Sequence, residues 1–185
     1  TVLSSIGYEY EITNSLDRRG IDVALMYLPF TFKRIESQSL RYSARQTTRD
    51  VLRVSGVLMT GDTLDVYAVH LPSKLNGRES ARLRMDIVRM MKNNVDSIIS
   101  LRTNPQILVM GDFNDNPKSD LMNKELGASL LETDEQTHYN KLFNLTSSCR
   151  NGTYKYQGHW DTIDQIISNG TLLNKGNRIV FNPTH

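Results

Sequence analysis

The sequence predicts an α/β fold with mixed sheets. Short apolar runs end at Gly, Pro or Asn and read as strands. One long stretch, about Glu79 to Leu101, carries apolar residues at helical spacing. Some strands are joined by a tight turn and others by that helix, a pattern that gives a sheet with both antiparallel and parallel neighbours.

Taken in order, Ile21 to Tyr27 predicts a strand, closed by Pro29. Val51 to Met59 and Leu64 to His70 flank Thr60-Gly61-Asp62, a turn signal, so the two runs predict a hairpin. Within the second run, Leu64, Val66 and Ala68 alternate with Asp65, Tyr67 and Val69, and Pro72 closes it. Asn76-Gly77 breaks the chain before the helix, whose buried stripe is read as Ala81, Val88, Met91, Val95 and Ile98, widened by Met85, Ile87, Met90 and Ile99. Asn104-Pro105 stops it and introduces the strand Gln106 to Met110. Pro117 to Met122 opens a further helix, with proline in its first turn. Gly127 to Arg150 shows no clear pattern; Thr153 to Gln157, Trp160 to Ile167 and Arg178 to Phe181 read as extended.

Composition narrows the class. The chain of 185 residues is 38% hydrophobic and 23% charged, as expected of one globular domain over residues 1–185. It has no apolar run long enough for a membrane span and no signal-peptide pattern, and it leaves the compartment open. It opens at Thr1 without methionine, so an upstream piece is expected to have been removed. A net charge of +2 does not by itself argue for nucleic acid. Arg41, Arg45, Arg49 and Arg53 recur every fourth residue, and Arg78, Arg82, Arg84 and Arg89 crowd a second segment. Either group could meet phosphates; a solvated surface is the simpler reading for most of them. The single cysteine, Cys149, rules out an intrachain disulfide and a thiolate cluster, and is read as a small buried apolar residue.

Three places could do chemistry. Gly111-Asp112-Phe113-Asn114 ends an apolar strand and presents a carboxylate and an amide with one residue between them, oxygen donors that suit Mg²⁺, Mn²⁺ or Ca²⁺. Asp112, Asn114 and Asn116 match the first ligand positions of an EF-hand, but Pro117 stands where its glycine is needed and Asn123 where its glutamate is needed, which excludes that loop. The competing reading is a polar turn capped by Asp112. His70 closes an alternating strand, where an imidazole can bind or protonate a phosphoryl oxygen, or simply bond to the adjoining loop. Asp164 sits in the apolar run Ile163 to Ile167, either orienting a catalytic histidine or facing water from a half-exposed position; Asp161 is a weaker candidate. Asn144, Asn151 and Asn169 each open a glycosylation tripeptide, and His138, His159 and His185 lack ligand spacing.

In order along the chain stand Arg19-Gly20-Ile21-Asp22-Val23-Ala24, Val69-His70-Leu71-Pro72-Ser73, Gly111-Asp112-Phe113-Asn114-Asp115 and Ile163-Asp164-Gln165-Ile166. This ordered set resembles the endonuclease/exonuclease/phosphatase superfamily, which includes pancreatic-type deoxyribonuclease, abasic-site endonucleases, bacterial sphingomyelinases and inositol-polyphosphate phosphatases. It looks closest to bacterial members known only by the superfamily name. The resemblance implies a four-layer α/β sandwich of two packed mixed sheets with outer helices, and Mg²⁺- or Mn²⁺-dependent cleavage of a phosphate ester by an activated water, with Ca²⁺ as a further option. It implies that Asp112 orients or deprotonates the water, that Asn114 holds the phosphate and helps organise the metal, that His70 contacts the scissile phosphate, and that Asp164 pairs with a catalytic histidine.

The family pattern also includes an early asparagine strand, a glutamate that is the main metal ligand, and a late Ser-Asp-His element. None of these is assigned here: Glu9 and Glu11 follow no apolar strand, and the chain ends in Asn182-Pro-Thr-His185. The expectation is therefore the central part of a family domain, truncated at both ends, that binds Mg²⁺ weakly and turns over little. Exposed sheet edges are then expected to favour self-association. The leading function is a nuclease-like phosphodiesterase acting on a phosphate ester, nucleic acid being one candidate. Alternatives are a phosphomonoesterase or lipid-headgroup phosphodiesterase on the same fold, and a catalytically inactive binding or scaffold domain.

Overall fold

A seven-stranded mixed sheet dominates the computed structural model of the chain, which describes residues 5–42, 47–130, 138–149 and 151–173. The strands are β1 (Glu9–Ile12), β2 (Ala24–Tyr27), β3 (Phe32–Leu40), β4 (Val51–Leu58), β5 (Thr63–His70), β6 (Gln106–Asp112), β7 (Ala128–Leu130), β8 (Leu142–Asn144), β9 (Tyr154–Tyr156), β10 (His159–Asp161) and β11 (Asp164–Asn169). The helices are α1 (Gly77–Leu101) and the short α2 (Gly170–Leu173). The large sheet runs β3-β4-β5-β6-β11-β8-β7; β1-β2 and β9-β10 form separate antiparallel pairs. Among the described residues only β5-β6 and β7-β8 are parallel, and α1 makes the crossover between β5 and β6.

The hairpin around Thr60-Gly61-Asp62 and the helix are as the sequence predicts. The alternation in β5 does not mark one wet face, because both faces of the sheet are covered. Tyr67 and Val69 pack with Val88, Met91 and Val95 of α1, while Leu64, Val66 and Ala68 pack with Val23, Leu25 and Tyr27 beside β2. Each fully buried Val or Met contributes about 1.5–3 kcal/mol by the area it removes from water. Of the four layers expected, the described residues supply three: α1, the large sheet, and the β1-β2 pair.

Several elements differ from the sequence reading. Ala81 is exposed, and Arg84 takes its place in the stripe, because the buried face of α1 runs through Ser80, Arg84, Ile87, Val88, Met91, Val95 and Ile98. The strand expected from Ile21 begins at Ala24. Trp160 to Ile167 is two strands, β10 and β11, which belong to different sheets. The helix expected after Pro117 is a single wide turn at Leu121–Glu125. The strand expected over Arg178 to Phe181 lies outside the described residues, as do Arg45 and His185. Of the large sheet's two edges, β7 has three residues, and β3 carries a bulge between Arg34 and Glu36 with exposed Lys33, Arg34 and Glu36, features that blunt edge pairing.

Candidate functional site

Three neighbouring strands bring the candidate side chains to one end of the sheet. His70 ends β5 and Asp112 ends β6, and the two are register partners in the parallel pair. Asp164 opens β11 and is the antiparallel partner of Asp112. The carboxyl ends of parallel strands are where open α/β sheets place their ligands. His70 Nε2 stands 3.7 Å from Asp112 Oδ2. The other carboxylate oxygen, Oδ1, accepts the Asn114 backbone N–H at 2.7 Å. Asp112 thus caps the turn and also faces the histidine. Asn114 takes the left-handed conformation that asparagine tolerates (φ 48°), and its Nδ2 donates to Leu71 O at 2.9 Å. Its amide oxygen accepts from no described residue and is available to a cation, while Nδ2 keeps a second hydrogen for a phosphate oxygen.

Two buried arginines hold the loop that follows His70. Arg49 donates from Nε to His70 O (2.9 Å), from Nη2 to Leu71 O (2.7 Å) and from Nη1 to Asp17 Oδ2 (3.2 Å). Arg84 donates from Nη1 to Pro72 O (3.1 Å) and Ser73 O (3.2 Å), and its Nε lies 3.6 Å from Asp115 Oδ2. The four consecutive carbonyls from His70 to Ser73 therefore end on guanidinium groups. Behind Asp112, Gln165 Nε2 donates to Asp115 O (2.6 Å), and Asn144 Nδ2 donates to Gln165 Oε1 (2.5 Å). A cleft of about 470 Å³ opens beside the 70–73 loop, with Arg18, Arg19, Thr48, Ser73 and Asn76 in its wall.

The surface reading fails for three arginines: Arg49, Arg53 and Arg84 are only 4–5% exposed. Arg53 faces the fully buried Asp65 at 3.6 Å, and Asp65 is also met by Arg102 at 3.2 Å and by Ser55 Oγ. Arg41 does stay near the surface, paired with Asp50 at 2.9 Å. The one sequence signal was the place of Arg84 in the helical stripe, four residues before Val88. Cys149 is exposed rather than buried, since it follows a short turn whose apolar anchor is Leu145. Asn144 and Asn169 are fully buried and spent on internal hydrogen bonds, which removes two of the three glycosylation tripeptides. His138 and His159 are exposed.

Electrostatically, His70 and Asp112 are both pushed toward their neutral forms. Burial lowers the His70 pKa, the Arg49 cation lowers it further, and the Asp112 carboxylate opposes both. Burial likewise raises Asp112, and the Asp164 carboxylate adds to it, against the Asn114 N–H and the charges of His70 and Arg49. Desolvation outweighs the attraction within the pair. Nearby, Asp17 feels burial too, but hydrogen bonds from Arg19 and Arg49 prevail and hold it at about 2.

Among the described residues, no three His, Cys, Asp or Glu side chains converge as a ready-made metal cage. The donor set does fit Mg²⁺, which keeps several waters and uses one or two carboxylates together with substrate phosphate. Asp112 and Asp164 supply two carboxylates, and Asn114 supplies an amide oxygen. No described helix is long and apolar enough to cross a membrane.

Solved structures share this fold. Human Nocturnin's catalytic domain superposes with a TM-score of 0.65 at 19% identity, covering 91% of this chain and 63% of its own. ANGEL2, a 2′,3′-cyclic phosphatase, gives 0.68 at 14% identity, with 90% and 63% covered. Truncated Caenorhabditis elegans TDP2 gives 0.63 at 13% identity, again with 90% and 63% covered. The chain thus spans about 63% of the length of these solved structures. No curated protein matches it. A sequence profile of the endonuclease/exonuclease/phosphatase family matches residues 1–184, and the chain belongs to that family.

Proposed function

We propose that this site hydrolyses a phosphodiester with the help of Mg²⁺ or Mn²⁺, by attack of a water. The observation that carries the reading is the adjacency of His70, Asp112 and Asp164 on three successive strands, with Asp112 and His70 both shifted toward neutral. A carboxylate of raised pKa is a better base than an ordinary one, so Asp112 takes or orients the proton of the water. His70, neutral near pH 7, donates a hydrogen bond to a phosphoryl oxygen, while Asn114 holds the phosphate through its amide. Asp112 and Asn114, with Asp164 beside them, would hold the cation, which supplies Lewis-acid stabilisation of the anionic transition state. Support for nucleic acid as the substrate comes from a TDP2 of this fold solved with single-strand DNA product, and for phosphate-ester chemistry in general from the cyclic phosphatase ANGEL2. The rival is a binding domain without turnover.

The test is a Mn²⁺ titration followed by paramagnetic resonance, together with hydrolysis of bis(p-nitrophenyl) phosphate. Weak binding and weak, chelator-sensitive turnover are expected, with Asp112→Ala abolishing both. Equal Mn²⁺ binding by the wild type and Asp112→Ala, with no metal-dependent hydrolysis, would establish the binding-domain reading instead.

A further inference from the structure

The hairpin β9-β10 is unusual for what it leaves in water. Tyr154, Tyr156 and Trp160 are 47%, 58% and 60% exposed, and all lie within a few residues of one another. The pair is closed by Gln157 and Gly158, both at positive φ (47° and 85°), the two-residue turn that matches strand twist. Register puts Tyr154 and Tyr156 on one face and the cross-strand pair Lys155–Trp160 on the other. The two tyrosine rings stack with centroids 6.4 Å apart and planes 11° apart; Lys155 Nζ stands 5.5 Å from the Trp160 ring. Each face therefore presents an aromatic plane, and one has a cation beside it.

The hairpin is fixed to the candidate site. Thr153 N donates to Asp161 O at 2.8 Å, and Thr153 Oγ1 accepts from the N–H groups of Ile163 and Asp164 at 3.1 and 3.0 Å. Ile163 O in turn accepts the N–H of Phe113, the residue after Asp112. The aromatic planes thus share a rigid base with both carboxylates. An exposed aromatic cluster next to a reactive site marks a place where a partner is covered.

We infer that this hairpin is a stacking platform for unpaired nucleobases whose backbone phosphate reaches the His70–Asp112 site. Three features select that partner. Bases offer flat faces to flat side chains whatever their sequence, and each base stacked on an aromatic strengthens binding about tenfold or more. Lys155 Nζ lies over the Trp160 ring, so a cation stands among the exposed rings where the phosphate of a stacked base can meet it. The stretch Tyr154 to Asp161 also contains no aliphatic side chain and turns at Gln157-Gly158, which disfavours insertion into a lipid surface. Duplex nucleic acid, with its bases already stacked, cannot use the platform. The inference names the substrate class of the phosphodiesterase reading and rests on that reading for the chemistry alone.

Trp160 is the only tryptophan of the chain, so its fluorescence reports the hairpin directly. Titration with an oligothymidylate in EDTA, where no hydrolysis occurs, is expected to quench Trp160 saturably. A duplex of the same length should bind at least tenfold more weakly. Tyr154→Ala/Tyr156→Ala and Lys155→Gln should weaken the oligonucleotide about tenfold and a few-fold respectively, with unchanged unfolding midpoints, and Trp160→Phe, followed by anisotropy of a labelled oligonucleotide, should retain binding. Turnover of bis(p-nitrophenyl) phosphate should not change in any of these variants. Equal affinity for duplex and single strand, or no quenching, overturns the platform. A blue shift with phosphatidylcholine vesicles and no response to oligonucleotide overturns it in favour of a lipid surface. Quenching without any diester turnover leaves the platform standing and removes the catalytic reading; turnover without quenching does the reverse.

Discussion

Gly111→Ala tests the claim that backbone contact between β5 and β6 sets the candidate site. Gly111 has φ 136°, outside the range L side chains favour, and is the register partner of Val69 on β5 and of Gln165 on β11. A Cβ there would overlap Val69 O and stand 3.0 Å from Val69 C and 3.1 Å from Val69 N. Those are backbone atoms of a central strand, so no side chain can swing away to make room. Conformational strain of about 1–3 kcal/mol adds to about 1–3 kcal/mol for overpacking, giving roughly 2–6 kcal/mol. Against a typical total of about 5–15 kcal/mol, that is a large loss. Gly61→Ala is the control: its φ is 86°, but no atom lies within 4 Å of the added methyl, so only the conformational cost of about 1 kcal/mol applies. Urea unfolding of both variants measures the difference. Because Val69 precedes His70, any displacement of β5 also moves the imidazole away from Asp112, and a shift of about 1 Å can cost about 100-fold in turnover. If Gly111→Ala is no less stable than Gly61→Ala, the close approach of the two backbones does not constrain the site and the reasoning fails.

Two further predictions concern the scaffold around the site. Arg49→Met removes the guanidinium donor from the carbonyls of His70 and Leu71, leaving Leu71 O with Asn114 Nδ2 alone, and should destabilise by about 1–3 kcal/mol after partial relief from burying a charge; a chemical-denaturation midpoint equal to wild type would count against it. Asp17, held at about 2 instead of its ordinary 3.8, is a depressed acid, so its contribution is complete above pH 4 and fades as pH falls through 2. Allowing for solvent screening, that contribution is about 1 kcal/mol, and the stability gap between wild type and Asp17→Asn should close between pH 4 and pH 2. A gap independent of pH would show that the ion pairs with Arg19 and Arg49 contribute nothing.

What could be read from the sequence depended on local patterns. The β4-β5 hairpin and α1 announce themselves by a turn between apolar runs and by helical period. β1 and β3 do not: Glu9–Ile12 and Phe32–Leu40 are mostly exposed pair or edge strands with too little apolar alternation to register. The Trp160 to Ile167 run looks continuous because its apolar content does not mark where the chain leaves one sheet and enters another. Within the site, His70, Asp112, Asn114 and Asp164 stand out by residue type and order, but their adjacency is a matter of strand register, which no single segment encodes. The arginines were hidden for another reason. A charged residue is ordinarily a surface residue, and nothing in the local sequence says that a cation will be matched by the backbone carbonyls of a loop distant in sequence.

That matching explains how the loop beside a half-exposed site can bury its carbonyls. A loop leaving the end of a covered sheet turns its carbonyls inward, where unpaired they would cost about 1–3 kcal/mol each. Neutral side chains could satisfy them one at a time; a guanidinium satisfies adjacent carbonyls from a rigid fork. Arg49 and Arg84 do so for residues His70 to Ser73, and the same positive charge helps hold His70 neutral. Asp112 then faces a neutral imidazole and a second carboxylate, with the Asn114 N–H as its one donor among the described residues. Burial and the Asp164 carboxylate oppose its charge there, while the Asn114 N–H and the Arg49 cation favour it, so the guanidinium that holds the loop also tunes the carboxylate at the strand end.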